Sequence, residues 1–147
     1  MELLFQTDNT DQFLSNLLMY VQSKIDSKMK QVRDDDSIYI GCENFYAYVL
    51  TKDIPSLECI EKELDVTLNF DIDIEIYQKK QSKGIADVRM LIEWFLRTFS
   101  GDMVLFSDTS NLIALRQRGN LICKEMWKTN PPTDAPLSPR HTRLLTV

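Results

Sequence analysis

Residues 66–77 alternate between apolar and polar without a break. Val66, Leu68, Phe70, Ile72, Ile74 and Ile76 hold one parity; Thr67, Asn69, Asp71, Asp73, Glu75 and Tyr77 hold the other. Successive side chains on a strand point to opposite faces, so a period of two predicts one long β-strand with a core face and a water face. At ~3.3 Å per residue it would reach about 40 Å. The water face then carries Asp71, Asp73 and Glu75 in a row. The pattern predicts an α+β domain: a mainly antiparallel sheet covered on one face, with these acids pointing outward.

The rest of the chain supplies the cover. Glu2 to Gln6 reads as a short first strand. Asn9 or Thr10 can cap a helix whose Phe13, Leu14, Leu17, Leu18, Val21 and Ile25 share one face. Lys24, Lys28, Lys30 and Arg33 make its far end basic, and 31–36 reads as a polar loop. Residues 37–42 and 45–51 are β-rich and close together, which predicts a hairpin. Pro55 suits the first turn of a short helix with Leu57, Ile60 and Leu64 on its stripe. After the long strand, a second main helix runs from about Ile85 to Ser100 and is stopped by Gly101 through a positive φ. Three strands follow, near 103–106, 112–116 and 121–124. The expected order is β-α-β-β-α-β-α-β-β-β in a single domain over 1–128. From Thr129 the chain turns proline-rich and polar, too poor in apolar surface to fold, so 129–147 is expected to be a disordered tail.

Charge narrows the partner class. The chain carries 17 basic and 22 acidic residues, a net charge of −5. Without the charges from Lys128 onward (Lys128, Arg140, Arg143 and Asp134), 14 basic and 21 acidic residues remain, so the part before Lys128 sits near −7. Nucleic acid needs Lys and Arg opposite its phosphates, so the balance favours a basic partner or none. Cys42, Cys59 and Cys123 form no close pair, which favours buried reduced thiols over a disulfide framework or a zinc site. The start, Met1 to Asp8, has an acid where a signal peptide needs a base. No stretch reaches the ~20 apolar residues that span a bilayer. A cytoplasmic protein without membrane contact is the expectation.

No residue set declares a reaction. The single histidine, His141, lies in the expected tail, where nothing would hold its imidazole for Ser–His–Asp or Cys–His chemistry. No phosphate-binding glycine loop occurs. Asp71, Asp73 and Glu75 are spaced like glycosidase carboxylates, but an acid–base pair needs one member desolvated, which an open sheet face does not provide. A calcium loop needs a glycine and a sharp turn, whereas Ile72, Ile74 and Ile76 demand extended chain. The acidic row reads first as a solvated strand face, next as a protein-binding face, and last as a site of catalysis or metal binding. Asp34, Asp35 and Asp36 form either a solvated loop or part of the same acidic field. Tyr46, Tyr48 and Tyr77 are partly water-facing on this register, and exposed Tyr beside carboxylates is common both at interfaces and on ordinary sheets. The candidate partner-binding residues are therefore Asp71, Asp73, Glu75, Asp34, Asp35, Asp36 and Tyr77. No catalytic residue, metal or cofactor is expected.

One stretch carries a resemblance. Asp71-Ile72-Asp73-Ile74-Glu75-Ile76 is followed by a helix ending Trp94-Phe95-Leu96-Arg97-Thr98. Then come Ser100-Gly101-Asp102-Met103-Val104-Leu105-Phe106, Leu112-Ile113-Ala114-Leu115-Arg116 and Arg118-Gly119-Asn120-Leu121, closing on Trp127. This resembles the Sit-type (swarming-inhibition) toxin immunity proteins of bacterial contact-dependent competition. Those share a helix, a Gly-Asp step, a strand reading Val-Leu-Leu-Phe, an Arg-containing strand, a Gly turn and a terminal Trp. The likeness is good over the last two fifths of the folded part and holds only in outline before that. The chain departs from it at Ser107-Asp108-Thr109-Ser110, where the family has a shorter turn. The resemblance implies a protein that binds and neutralises a cognate toxin, and it carries over no catalytic residue. The alternatives are a regulatory or adaptor domain using the same sheet, and a small carboxylate-dependent hydrolase.

Overall fold

The computed structural model describes residues 1–50, 57–109, 111–123 and 142–144. In chain order the elements are β1 (Glu2–Phe5), α1 (Thr10–Tyr20), β2 (Lys30–Arg33), β3 (Ser37–Gly41), β4 (Phe45–Leu50), α2 (Leu57–Leu64), β5 (Phe70–Ile76), α3 (Gln81–Thr98), β6 (Met103–Phe106), β7 (Leu112–Gln117), β8 (Asn120–Cys123) and β9 (Thr142–Leu144). A π turn, Val21–Ile25, prolongs α1, and a 3₁₀ turn, Gln78–Lys80, leads into α3. The α+β class is as expected. All strands join one sheet in the order β2-β3-β4-β5-β1-β6-β7-β8-β9. Eight strands pair antiparallel; β9 lies parallel to β8. The first strand is the middle one, with Leu3 opposite Ile72 on one side and Leu105 on the other.

Local chemistry explains the ends of the helices. Asn9 is extended, and its Oδ1 accepts from the Gln12 amide at 3.0 Å, which caps α1. Helix α3 stops because Phe99 turns extended. Gly101 does not stop it by a positive φ; among the glycines only Gly119 has one. Gly101 is needed for a close approach instead, since a Cβ there would stand 2.7 Å from the Gln6 carbonyl oxygen. The β7–β8 hairpin turns on Arg118 and Gly119, at φ 49 and 82, the two positive angles that a tight hairpin loop requires.

Helices α1 and α3 cover one face of the sheet. Phe13, Leu14, Leu17 and Leu18 from α1, and Val88, Leu91, Ile92, Phe95 and Leu96 from α3, meet Leu3, Phe5, Phe70, Ile72 and Ile74. Phe5 is the hub: its ring centroid lies 4.4 Å from Phe95, 4.6 Å from Phe13 and 5.0 Å from Phe70. Such aromatic pairs add about 0.5–1.5 kcal/mol each beyond burial.

The structure revises the expected sheet in several places. The strand occupies Phe70–Ile76, not 66–77. Val66 and Leu68 instead enter a second core on the opposite face, with Leu4, Val104 and Leu115. Leu57, Ile60 and Leu64 of α2 pack against that second core. A period of two reads the same in strand and in extended loop; the apolar residues here went to the nearest core rather than along the strand line. The sheet is thus covered on parts of both faces. Lys30–Arg33, of which 31–33 was expected as loop and Lys30 as part of the basic helix end, is an edge strand whose four residues are all exposed. It follows from the β3 hairpin, in which Arg33 pairs with Ile38. Most of the expected tail, and Trp127 and His141 with it, falls outside the described residues. Thr142–Leu144, however, runs as β9 along β8, where it meets backbone groups that β8 would otherwise leave unpaired. Cys42 and Cys123 are buried cysteines, whereas Cys59 is exposed.

Candidate partner-binding face

Strand register lays out the outer face in rows. One row runs Val32, Tyr39, Tyr48, Asp73, Glu2; its neighbour runs Gly41, Tyr46, Glu75. A third runs Leu50, Asp71, Leu4, Val104, Leu115. Polar and apolar halves therefore meet at Asp71. The β6–β7 half belongs to the second core with α2 over it. The β3–β5 half carries tyrosines and acids.

Four tyrosines form one cluster on that half. Ring centroids lie 5.3 Å apart for Tyr39 and Tyr48, 5.9 Å for Tyr39 and Tyr46, 6.3 Å for Tyr46 and Tyr48, and 5.6 Å for Tyr46 and Tyr77. Tyr48 and Tyr77 are 45% and 38% exposed, which is high for aromatic rings packed on one another. The Tyr46 hydroxyl donates to Glu75 Oε2, and this contact pushes its pKa up to about 12, since an ionised phenol would face a carboxylate. A hydrogen bond with Tyr77 raises Tyr39 in the same way. The Tyr46 hydroxyl is thus held as a donor on this face. Beyond Tyr39 and Tyr77 the face opens into a cleft of about 470 Å³ that also touches Asp26, Lys30 and Glu43. The Cys42 thiol at this cleft is raised to about 12, mainly by burial, so it is a poor nucleophile.

The predicted site residues divide into three groups. Asp73 and Glu75 are exposed on the outer face, as expected, and Tyr77 joins them through Tyr46. Asp71 is not on a water face. It is only 6% exposed, because Leu50 and Leu4 flank it and the apolar half begins there. Burial, then the charge and hydrogen bond of Glu2, then the charge of Asp73 raise its pKa to about 7. Asp34, Asp35 and Asp36 are exposed at the β2–β3 turn. β3 and β4 stand between them and β5, so roughly 10 Å or more of sheet separates them from Asp73. They are a separate charged tip, not part of the cluster.

Two members escaped the sequence. Tyr39 lies between Ile38 and Ile40, whose burial makes it face outward; that local alternation was the available signal. Glu2 had none, since only the central position of β1 brings it opposite Asp73. Among the described residues no group of three His, Cys, Asp or Glu is placed to hold a metal ion, and no helix is long and apolar enough to cross a membrane.

The resemblance motifs prove to be structural joints. Asp102 Oδ2 accepts from the Thr67 amide at 3.0 Å, and its Oδ1 accepts from the Arg118 amide at 2.9 Å. Buried Arg116 donates from Nε to the Gly101 carbonyl at 2.8 Å and from Nη1 to the Leu96 carbonyl at 3.1 Å, closing the end of α3. No family model, curated protein or solved structure matches the chain.

Proposed function

We propose that this chain is a protein-binding domain that neutralises a basic partner, an immunity protein of the Sit type acting on its cognate toxin. The observation that carries the binding reading is the outer face itself: three mutually packed tyrosines, Tyr39, Tyr46 and Tyr48, with Tyr77 against Tyr46, bordered by Asp73, Glu75 and Glu2. Tyrosine anchors offer large contact area with few rotamers, and such residues dominate binding energy at protein interfaces. A cationic side chain laid on a tyrosine ring gains about 0.5–2 kcal/mol. The acidic balance of the chain adds long-range steering toward a basic surface. The immunity class comes from the resemblance, and the motif residues that carry it are the ones that hold this fold.

The test is co-expression with the product of the adjacent reading frame. Recovery of a complex that Tyr48→Ala weakens supports the reading. Recovery of a different cellular protein through the same face would favour an adaptor, and no recovery at all removes the binding proposal. One observation favours a second reading, a carboxylate-dependent hydrolase. Asp71 is desolvated while Asp73 is exposed, which is the inequality an acid–base pair needs. Stoichiometry separates the two. A binder protects a toxin-treated cell extract up to an endpoint near one chain per toxin, whereas an enzyme protects at a small fraction of that amount.

A further inference from the structure

We propose that β2 is a self-pairing edge: two copies of this chain join β2 to β2, antiparallel, about a two-fold axis at Val32. The inference goes beyond the toxin-binding reading and does not rest on it. The sheet ends at β9 on one side and at β2 on the other. Among the described residues no strand lies beyond β2, and all four of its residues are exposed, Val32 to 59%. Two hydrogen bonds fix which backbone groups are free. The Asp34 amide donates to the Ser37 carbonyl at 2.9 Å, and the Cys42 amide donates to the Phe45 carbonyl at 2.9 Å. Antiparallel partners exchange both bonds at every second residue. Asp34, Val32 and Lys30 therefore turn their backbone groups toward Ser37, Tyr39 and Gly41, while Ile38 and Ile40 turn theirs toward β4. The N–H and C=O of Gln31 and Arg33 point out of the sheet.

An open row of this kind is a template for another strand, and the flanking charges choose which one. The stretch reads Lys28-Met29-Lys30-Gln31-Val32-Arg33-Asp34-Asp35-Asp36, with lysines before Val32 and aspartates after it. Two copies laid antiparallel about Val32 put Gln31 of one opposite Arg33 of the other. Those are the residues whose backbone groups are free, so both symmetric pairs close their ladder bonds. Lys30 of each copy then meets Asp34 of the other, with opposed Cβ atoms about 5 Å apart. Val32 meets its own counterpart, which covers an exposed apolar side chain. Neighbouring registers fail. Centring on Gln31 leaves Lys30 opposite Val32 and calls on Met29, whose amide is already given to the Asp26 carbonyl at 3.1 Å. Centring on Arg33 sets guanidinium against guanidinium. Lysine on an edge strand ordinarily blocks pairing; here the register that satisfies the backbone also sets lysine against acid. A second copy carries this complement by symmetry, and the contact closes on itself as a two-fold dimer. Tyr39 pairs with Val32, so the two tyrosine faces would lie on the same side of the doubled sheet.

The test is sedimentation of the whole, reduced chain from about 10 µM to about 1 mM, the range suited to a small interface, with amide hydrogen exchange followed by NMR. The expected result is a reversible monomer–dimer equilibrium. Exchange at the Gln31 and Arg33 amides should slow with rising concentration, while the Val32 amide, bonded to β3 in either state, should not change. Asp34→Lys sets ammonium against ammonium, and Lys30→Asp sets carboxylate against carboxylate. Each should weaken the dimer about tenfold or more at low salt. The swap Lys30→Asp/Asp34→Lys restores opposite signs and should regain the dimer, a rescue that damage to the fold would not give. The amide spectrum reports that each variant stays folded. A chain that is monomeric at the highest concentration, a dimer indifferent to both single reversals, or assemblies larger than two would each overturn the proposal. So would a monomer whose Gln31 and Arg33 amides exchange slowly at every concentration, since another segment of the same chain would then cover the edge.

Discussion

At the scale of single residues, Asp71 makes the clearest thermodynamic claim. Its folded pKa of about 7 lies above the ordinary 3.8, so the folded chain holds this proton more tightly than the unfolded chain. The stabilisation is complete below about pH 4 and is lost as pH rises to 7. Asp71→Asn keeps the shape without the charge. It should flatten that decline and exceed the parent by about 1–2 kcal/mol at pH 8. Urea midpoints of both proteins at pH 5 and pH 8 check this; parallel behaviour at the two pH values would refute it. Arg116 makes the opposite kind of claim. Burial lowers its pKa, and it still serves the fold through the carbonyls of Leu96 and Gly101. Arg116→Met should cost about 2–3 kcal/mol, because two buried carbonyls lose their donors. Arg116→Lys should not restore the loss, since an ammonium cannot reproduce the fork. A urea series on the two variants decides. Neither role could be read in the sequence: an Asp on an alternating strand and an Arg among apolar residues look the same whether solvated or enclosed.

At the scale of elements, the sequence was most informative where period and turn chemistry agreed. The β3–β4 hairpin, α1 with its Asn9 cap, and β6 to β8 lie close to where periodicity puts them. It was least informative where an element's partner is distant in sequence. The 66–69 stretch alternates like a strand, but Asn69 is tied elsewhere: it accepts from the Thr7 amide and donates to the Thr7 carbonyl, at 2.9 and 2.7 Å. That fastening diverts Val66 and Leu68 to the second core. The edge strand β2 was hidden for a related reason, as nothing in an all-exposed segment has periodicity to show. The docking of α3 on β5 yields a prediction. A Cβ at Gly84 would meet Ile76 Cγ2 at 2.3 Å and the Asn44 carbonyl at 2.9 Å. Alanine gains about 1 kcal/mol in helix propensity, but the overlap costs about 1–3 kcal/mol and one of the clashing atoms is backbone. Gly84→Ala should therefore destabilise by up to about 2 kcal/mol net, measured as a fall in thermal midpoint; a rise would show that α3 shifts freely.

At the scale of the whole molecule, the sheet divides its labour. One face holds the main core, half of the other holds the small core under α2, and the remaining half presents tyrosines and acids. The excess of acid is legible in composition alone, and it gives a kinetic prediction. Association with a basic partner should slow about tenfold or more between 50 and 500 mM salt, followed by stopped-flow fluorescence of Trp94 or Trp127. A salt-independent rate would remove electrostatic steering from the account. The make-up of the outer face was only half legible, because Asp73, Glu75 and Tyr77 declared themselves while Glu2 and Tyr39 needed the register.

The most direct measurement compares two charge reversals by calorimetry against the adjacent-frame product. Asp73→Lys/Glu75→Lys alters the tyrosine face; Asp34→Lys/Asp35→Lys/Asp36→Lys alters the hairpin tip and serves as the charge control. The account predicts that the first weakens binding by a hundredfold or more, about 2.7 kcal/mol, with its thermal midpoint unchanged. The second should weaken it by less than about fivefold, a screened rim effect. Equal losses from both, or full affinity in the face variant, would contradict a contact centred on this surface.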